Sequence, residues 1–488
     1  MQPRHARSSP MASLHGRTTR VKERRRAKSG PARSVAKRCP WHTGVAGTAR
    51  QLAKTLLRMD LESLINLEKR HLWHPFTPMQ AWCADGHEPM LMVQGSGCKL
   101  RDQHGREYLD GNSSIWTNIH GHRHPTIDGA IVAQLERVAH TSFLGLTHEP
   151  AIQLAEQLCA LFPSGELSRV FYSDNGSTAI ESAVRMALQF WQQTQHPEKQ
   201  VLLAFDQAYH GDTLGAASLG GIPLFKGSGN DFGYEVITVR DITEVKALPP
   251  DVTQRIAAAI IEPLIQGAAG MRMWPAGMLR ELRTWCTEND VFLILDEVMT
   301  GFGRTGKMFA CQHEDVVPDF IAMAKGLTGG YLPMAATMTT ERVFEGFLGT
   351  GKTFFYGHSY TGSQLGCAAA LGSLQVFRDE AVLASLPAKM AVMADVLETL
   401  SHLPNVINAR QCGMIGALDV VAQKDPVTPF PSDLLTGAKI CHAARSYGLL
   451  TRPVRDTLVL MPPLCVTDAE LREMGRALEA AIECGVQL

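Results

Sequence analysis

Two apolar runs that end in reactive groups constrain this chain more than any other feature. Residues 291–295, Val-Phe-Leu-Ile-Leu, lead into Asp296 and Glu297; residues 320–324, Phe-Ile-Ala-Met-Ala, lead into Lys325 and Gly326. Runs of this length, separated by one crossover, suit neighbouring strands buried on both faces of a parallel sheet. Such sheets place ligands just beyond the carboxyl ends of their strands. An acid and an amine at two adjacent strand ends match what pyridoxal phosphate requires, a Schiff-base lysine and an anionic partner for the pyridinium nitrogen. Taken singly, either residue reads equally well as half of a buried or rim ion pair.

A third stretch extends the pattern. Residues 169–173 form a strand candidate, and Asp174-Asn175-Gly176-Ser177 turns directly into a helical run over 178–193. Thr178-x-x-Glu181 fits a capping box. Free N–H groups at the helix start, with the Ser177 hydroxyl, make a phosphate site; an ordinary capped helix is the alternative. Further strands are expected at 201–205 and 256–261, and a helix at 278–288. Beyond residue 375 a helix over 381–400 precedes an extended run near 413–421, a helix around 434–447, a hairpin from Leu449 to Met461 and a final helix. Strands alternating with helices make this an α/β chain. We expect a large domain over 126–374 and a smaller α+β domain assembled from 59–125 and 375–488.

Two glycine patterns mislead. Residues 346–353, Gly-Phe-Leu-Gly-Thr-Gly-Lys-Thr, satisfy the P-loop expression, but a short helix precedes them and a poor helix start follows, where the motif needs a strand and then a helix. Gly301-Phe-Gly303-Arg304-Thr-Gly306 satisfies the dinucleotide expression, yet no amphipathic helix opens after it. Tyr209, in Tyr-His-Gly-Asp beyond the strand at 201–205, could stack on a planar ring or be a core tyrosine. Arg452, before Pro453, could grip a carboxylate bidentately or sit in a surface ion pair.

Charge divides the chain. Residues 1–58 hold 15 Lys/Arg against Glu23 alone, so the remainder is acidic, which argues against general nucleic-acid binding. The basic segment lacks apolar periodicity and should be disordered. A transit peptide, a basic arm and translation from a misassigned start all fit it; we favour the last, so that a chain beginning at Met59 should keep full activity. No apolar run is long enough to span a membrane. Eleven scattered Cys without zinc spacing suit reduced thiols and a cytoplasmic protein. His120, His122 and His124 have no further ligands beside them in the sequence, and no metal is expected.

Together, Asn175-Gly176-Ser177, Tyr209-His-Gly-Asp, Ile261-Glu262-Pro, Asp296-Glu-Val, Gly301-Phe-Gly-Arg304 and Ala324-Lys325-Gly resemble the class III pyridoxal-phosphate aminotransferases. More narrowly, His71-Leu-Trp-His-Pro-Phe76, Asp110-Gly-Asn-Ser-Ser-Ile115-Trp116, Gln266-Gly-Ala and Thr451-Arg452-Pro are similar to the branch that aminates 8-amino-7-oxononanoate in biotin synthesis. The similarity runs from about Met59 to the C-terminus. It implies fold-type I, with a mostly parallel seven-stranded sheet, and a homodimer that shares its active sites. It implies that Lys325 holds pyridoxal 5'-phosphate and shuttles the substrate proton, that Asp296 partners the ring nitrogen, and that Tyr209 stacks on the ring. Gly176 and Ser177 would bind phosphate, with Ser359 reaching it from the other subunit, and Glu262 would complete the cofactor set. Arg452 would anchor the substrate carboxylate and Arg304 would shape the site loop. Phe76, Ile115 and Trp116 would face substrate. Members that use S-adenosylmethionine carry tyrosine and a Trp-Trp pair where this chain has Phe76 and Ile115-Trp116, and a lysine-using branch is similar at both positions, so L-lysine is the favoured donor. An ω-amino acid or diamine transaminase would share the cofactor residues, and a P-loop ATP-binding protein is the alternative from a different class.

Overall fold

The computed structural model describes residues 59–226 and 233–485, so the expectations for residues 1–58 lie outside the described residues. The chain divides into two compact units after Pro89. In the first, Asp60 caps the helix Leu61–His71 by accepting from Ser63 N, and Trp82 Nε1 donates to Glu68 Oε1 at 2.9 Å.

The second unit opens with β1 (Met92–Ser96), β2 (Lys99–Asp102) and β3 (Glu107–Asp110). Then come β4 (Arg169–Ser173), β5 (Val201–Phe205), β6 (Val236–Val239), β7 (Ile256–Ile261), the short pair β8 (Ile265–Gln266) and β9 (Arg272–Met273), β10 (Phe292–Asp296), β11 (Phe320–Met323) and β12 (Ala335–Thr339). Seven of these form the central sheet in the order β4-β12-β11-β10-β7-β5-β6. Only β12 runs against its neighbours.

The apolar runs of the sequence are this sheet. Every residue of β5, β7, β10 and β11 is buried. Successive side chains point to opposite faces, and the two cores divide them accordingly. Leu203, Phe205, Ala259, Ile261, Leu293 and Leu295 join one core; Leu202, Ala204, Ala258, Ile260, Phe292 and Ile294 join the other. The helix Gly176–Gln193 covers the second face with Ile180, Ala183, Val184, Ala187, Phe190 and Trp191. No described helix is long and apolar enough to cross a membrane.

The C-terminal region adds β13 (Val406–Cys412), β14 (Ile415–Val420), the small pair β15 (Gln423–Lys424) and β16 (Val427–Thr428), then β17 (Leu449–Leu450), β18 (Pro453–Val454) and β19 (Thr457–Leu460). The expected hairpin from Leu449 to Met461 is corrected here. Only β18 and β19 pair as a hairpin, in the sheet β13-β14-β19-β18. After the left-handed Gly448, β17 pairs in parallel with β3, so early and late parts of the chain share one sheet. The helix cap at residue 178 is also corrected. The N-cap is Asn175, whose Oδ1 accepts from Thr178 N at 3.0 Å while Thr178 Oγ1 accepts from Asn175 N, which leaves Glu181 for other partners.

Candidate active site

The strand register brings the expected residues to one edge. Asp296, the last residue of β10, lies opposite Ala322 of β11, three residues before Lys325. Glu262 follows β7, Tyr209 follows β5, and Gly176 follows β4, all at carboxyl ends. Lys325 takes a left-handed backbone (φ 43°) as the chain leaves β11, a rare conformation for a residue with a side chain. Its amine makes no hydrogen bond among the described residues and lies 5.0 Å from the Trp116 ring centroid. Burial lowers the Lys325 pKa, while the Asp296 and Glu262 carboxylates pull it back up. A lysine held toward its neutral form is a nucleophile.

Asp296 is fixed on both oxygens. Its Oδ2 lies 2.8 Å from His210 Nδ1, and its Oδ1 accepts from Val298 N at 3.1 Å. His210 is buried, and its Nε2 has no hydrogen-bond partner among the described residues. In the sequence this histidine is only the second residue of Tyr-His-Gly-Asp; its pairing with an acid from another strand has no local signal. Glu262 accepts from Tyr209 N (3.2 Å) and Gly267 N (3.0 Å). Burial raises its pKa to about 7; His210 opposes that shift and Asp296 adds to it. The Tyr209 hydroxyl donates to Asp212 Oδ2 at 2.8 Å, and its ring packs edge-on against Phe225.

At the start of the helix Gly176–Gln193, the N–H groups of Gly176 and Ser177 have no partner within the helix. A Cβ on Gly176 would lie 2.7 Å from Val298 Cγ1, and one on Gly211 (φ 115°) would lie 2.4 Å from Ser177 Oγ, so both positions need glycine. Thr213 N donates to Ser177 Oγ at 3.0 Å, and Thr213 Oγ1 donates to Glu181 Oε1 at 2.9 Å. Since that uses the only hydroxyl proton of Thr213, the 2.7 Å Ser177–Thr213 contact is donated by Ser177. The backbone amides, rather than that hydroxyl, are the donors left for an anion.

The turn carrying Ile115 and Trp116 is strained. Ser113, Ser114, Ile115 and Trp116 have φ of 47°, 49°, 65° and 64°, four consecutive left-handed residues without a glycine. At about 1–2 kcal/mol each, this conformation costs roughly 4–8 kcal/mol that neighbouring contacts must offset. Trp116 Nε1 donates to Asn112 Oδ1 at 2.9 Å; Ile115 is half exposed. Arg304 is fully buried and acts as a strut, donating at 2.7 Å to both Pro462 O and Asn118 O. Burial lowers its pKa to about 9.

Phe76 belongs to the unit that ends at Pro89 and is 66% exposed. Ser359 is exposed in the loop before the helix Gln364–Asp379. Arg452 is exposed beside β18 and makes no ion pair among the described residues, so the surface-pair alternative finds no partner there. Residues 346–353 follow the helix Glu341–Glu345 and run into irregular chain, the context that disfavours a P-loop. The histidines have other work: His120 Nε2 lies 3.0 Å from Ser373 Oγ, His122 Nε2 3.1 Å from Asp110, and His124 Nε2 2.9 Å from Glu380.

These groups fit an anionic, ring-shaped aldehyde. An unpaired amine, a braced carboxylate and two free amides beside bare glycines are the features pyridoxal phosphate needs. Comparison with known proteins agrees. The family described as aminotransferase class-III matches residues 82–482. The adenosylmethionine-8-amino-7-oxononanoate aminotransferase of Geobacter sulfurreducens is 42% identical over 446 residues, spanning 87% of this chain and 98% of that one. The protein of the same name from Nitratidesulfovibrio vulgaris is 44% identical, over 86% of this chain and 81% of its own. Among solved structures, the Methanocaldococcus jannaschii protein of that name superposes with a TM-score of 0.84 at 35% identity, covering 87% of this chain and 99% of its own. An (S)-enantioselective ω-transaminase from Thermomicrobium roseum gives 0.83 at 30%, over 88% and 99%.

Proposed function

We propose, since the chain belongs to the class III aminotransferases and is a pyridoxal-phosphate-dependent transaminase, that it converts 8-amino-7-oxononanoate to 7,8-diaminononanoate in biotin synthesis. The shared name of relatives above 40% identity over most of both chains carries this reading. L-lysine is the donor we favour over S-adenosylmethionine, on Phe76 and Ile115.

When bound, pyridoxal phosphate supplies an aldehyde carbon that takes up an amino group and a ring that accepts the electron pair left by a departing proton. The Gly176 and Ser177 amides would hold its phosphate, and Ser359 of a second copy would close that cup, so that the working unit is a homodimer. Asp296, braced by His210 and Val298, would keep a proton on the ring nitrogen. Tyr209 would lie along the ring, with its loop anchored by Glu262. Lys325 Nζ would first hold the aldehyde carbon and then move the substrate proton. Its lowered pKa supports both roles, because each begins from the neutral amine. Arg452, with no carboxylate partner among the described residues, is the group we assign to the acceptor's carboxylate. Phe76, Ile115 and Trp116 would line the substrate side and Arg304 would hold its floor. The domain division at 126 and 375 stays part of this proposal.

The likeness to an ω-transaminase favours a second reading, a general ω-amino acid or diamine transaminase with the same cofactor residues. One half-reaction separates the two. The loaded enzyme is mixed with L-lysine or S-adenosylmethionine alone, and its visible band is followed. Bleaching by lysine is the expected result. Bleaching only by S-adenosylmethionine would overturn the donor and keep the pathway. Silence with both would favour the ω-transaminase.

A further inference from the structure

Resting on the aminotransferase reading above, we propose that Asp110 and His122 are positioning residues that latch the left-handed turn Ser113–Trp116, so that the Trp116 ring is held over Lys325. Residues with side chains leave this conformation unless something holds them. Ser113 Oγ donates to Met461 O at 2.6 Å, and Trp116 N donates to Asn112 O at 2.8 Å, which fix the two ends. The middle is held by one side chain. Asp110, buried at the end of β3, accepts from Ser114 N (2.9 Å) and from Ser114 Oγ (2.8 Å).

The proton positions follow from the network. Gly121 N donates to Asn118 Oδ1 at 2.8 Å, which fixes the orientation of that amide. Asn118 Nδ2 therefore faces His122 Nδ1, at 3.1 Å, as the donor. His122 Nδ1 must accept, so Nε2 carries the proton and donates to Asp110 Oδ2 at 3.1 Å. Asn118 N in turn donates to Ser113 O at 3.0 Å, closing a ring of hydrogen bonds around the turn. Beyond the imidazole lies a cavity of about 350 Å³, lined by Gln94, Leu100, Arg123 and Tyr331 among others, so a residue of similar bulk fits at 122 without disturbing the core.

The test uses the holoenzyme with His122→Phe, His122→Gln and the double variant His122→Phe/Ser114→Gly. Two quantities are read: the induced circular dichroism of the visible cofactor band, and KM against kcat for the amino donor. His122→Phe should change the visible dichroism and raise donor KM about tenfold, the order expected for one lost hydrogen bond to a charged group, with kcat nearly kept. His122→Gln, whose amide can still donate to Asp110, should restore both. Ser114→Gly should also rescue His122→Phe, because glycine enters the left-handed region without strain. Unchanged dichroism and KM in His122→Phe would overturn the latch. So would a defect that neither glutamine nor glycine restores, the signature of a merely structural histidine. If the wild type is inert toward both donors, the proposed reaction fails, while the dichroism series still decides the latch.

Discussion

The carboxyl edge of the seven-stranded sheet and the turn Ser113–Trp116 both deliver side chains to Lys325, by opposite means. At the edge, position comes from the ladder: Asp296 sits where it does because β10 pairs with β11 over buried apolar residues. The turn has no repeating register. Its residues stand in a disfavoured conformation and are held by individual hydrogen bonds to Asp110, Asn112 and Met461. The groups we assign to the cofactor rest on structure that many contacts over-determine. The groups we assign to substrate choice rest on structure that one substitution can shift.

The largest effect should come from the edge. Lys325→Ala should remove the borohydride-sensitive yellow band and lower turnover by at least about 10⁴-fold, since the proposed covalent anchor and proton carrier would be lost together. Retained turnover would break the comparison, because the edge would then not carry the chemistry.

Arg452 belongs to neither region and sharpens the contrast. Arg452→Ala should raise the acceptor's KM about 10- to 100-fold, with kcat and the donor half-reaction largely kept, as for one lost hydrogen-bonded charge pair. Equal losses in both half-reactions would show that the arginine supports structure instead.

The edge also carries an electrostatic cost. Glu262 has its folded-state pKa raised from 4.5 to about 7, chiefly by burial. Between those values the folded protein binds the proton more tightly than the unfolded chain does. Its contribution to stability is therefore fully present at low pH and is lost as pH rises from 4.5 toward 7, at up to about 1.4 kcal/mol per pH unit. Denaturation of the apoenzyme at pH 5 and pH 7, with Glu262→Gln as reference, checks the sign. The variant should lack this part of the slope, and identical slopes would place the charge cost elsewhere.

What the sequence revealed follows the same line. β5, β7, β10 and β11 were legible because burial on both faces writes them as unbroken apolar runs. Lys325 and Asp296 were legible because they terminate such runs. β12 and β6 were missed: Ala-Ala-Thr-Met-Thr and Val-Ile-Thr-Val are broken by threonine, and their pairing is decided by neighbours distant in the chain. β17 is two residues long and exists only because β3 is beside it. His210 and Thr213 matter through contacts with a strand end and a helix distant in the chain, which no spacing encodes. Ser-Ser-Ile-Trp carries no glycine or asparagine to announce a left-handed turn.

The smallest expected change tests the turn directly. Ile115 is β-branched and has φ 65°, a conformation especially unfavourable for that side-chain shape. Ile115→Trp removes the branch, which should ease the strain, and adds an aromatic face beside Trp116. A sulfonium donor gains about 0.5–2 kcal/mol from a well-placed ring, or roughly 2- to 30-fold in kcat/KM. The half-reaction with S-adenosylmethionine should therefore quicken by that factor, while the half-reaction with lysine, whose ammonium is more strongly hydrated, should change less. If lysine turnover collapses and S-adenosylmethionine gains nothing, residue 115 holds the turn rather than selecting the donor. The sheet edge and the turn would then differ in backbone geometry but not in the kind of task they perform.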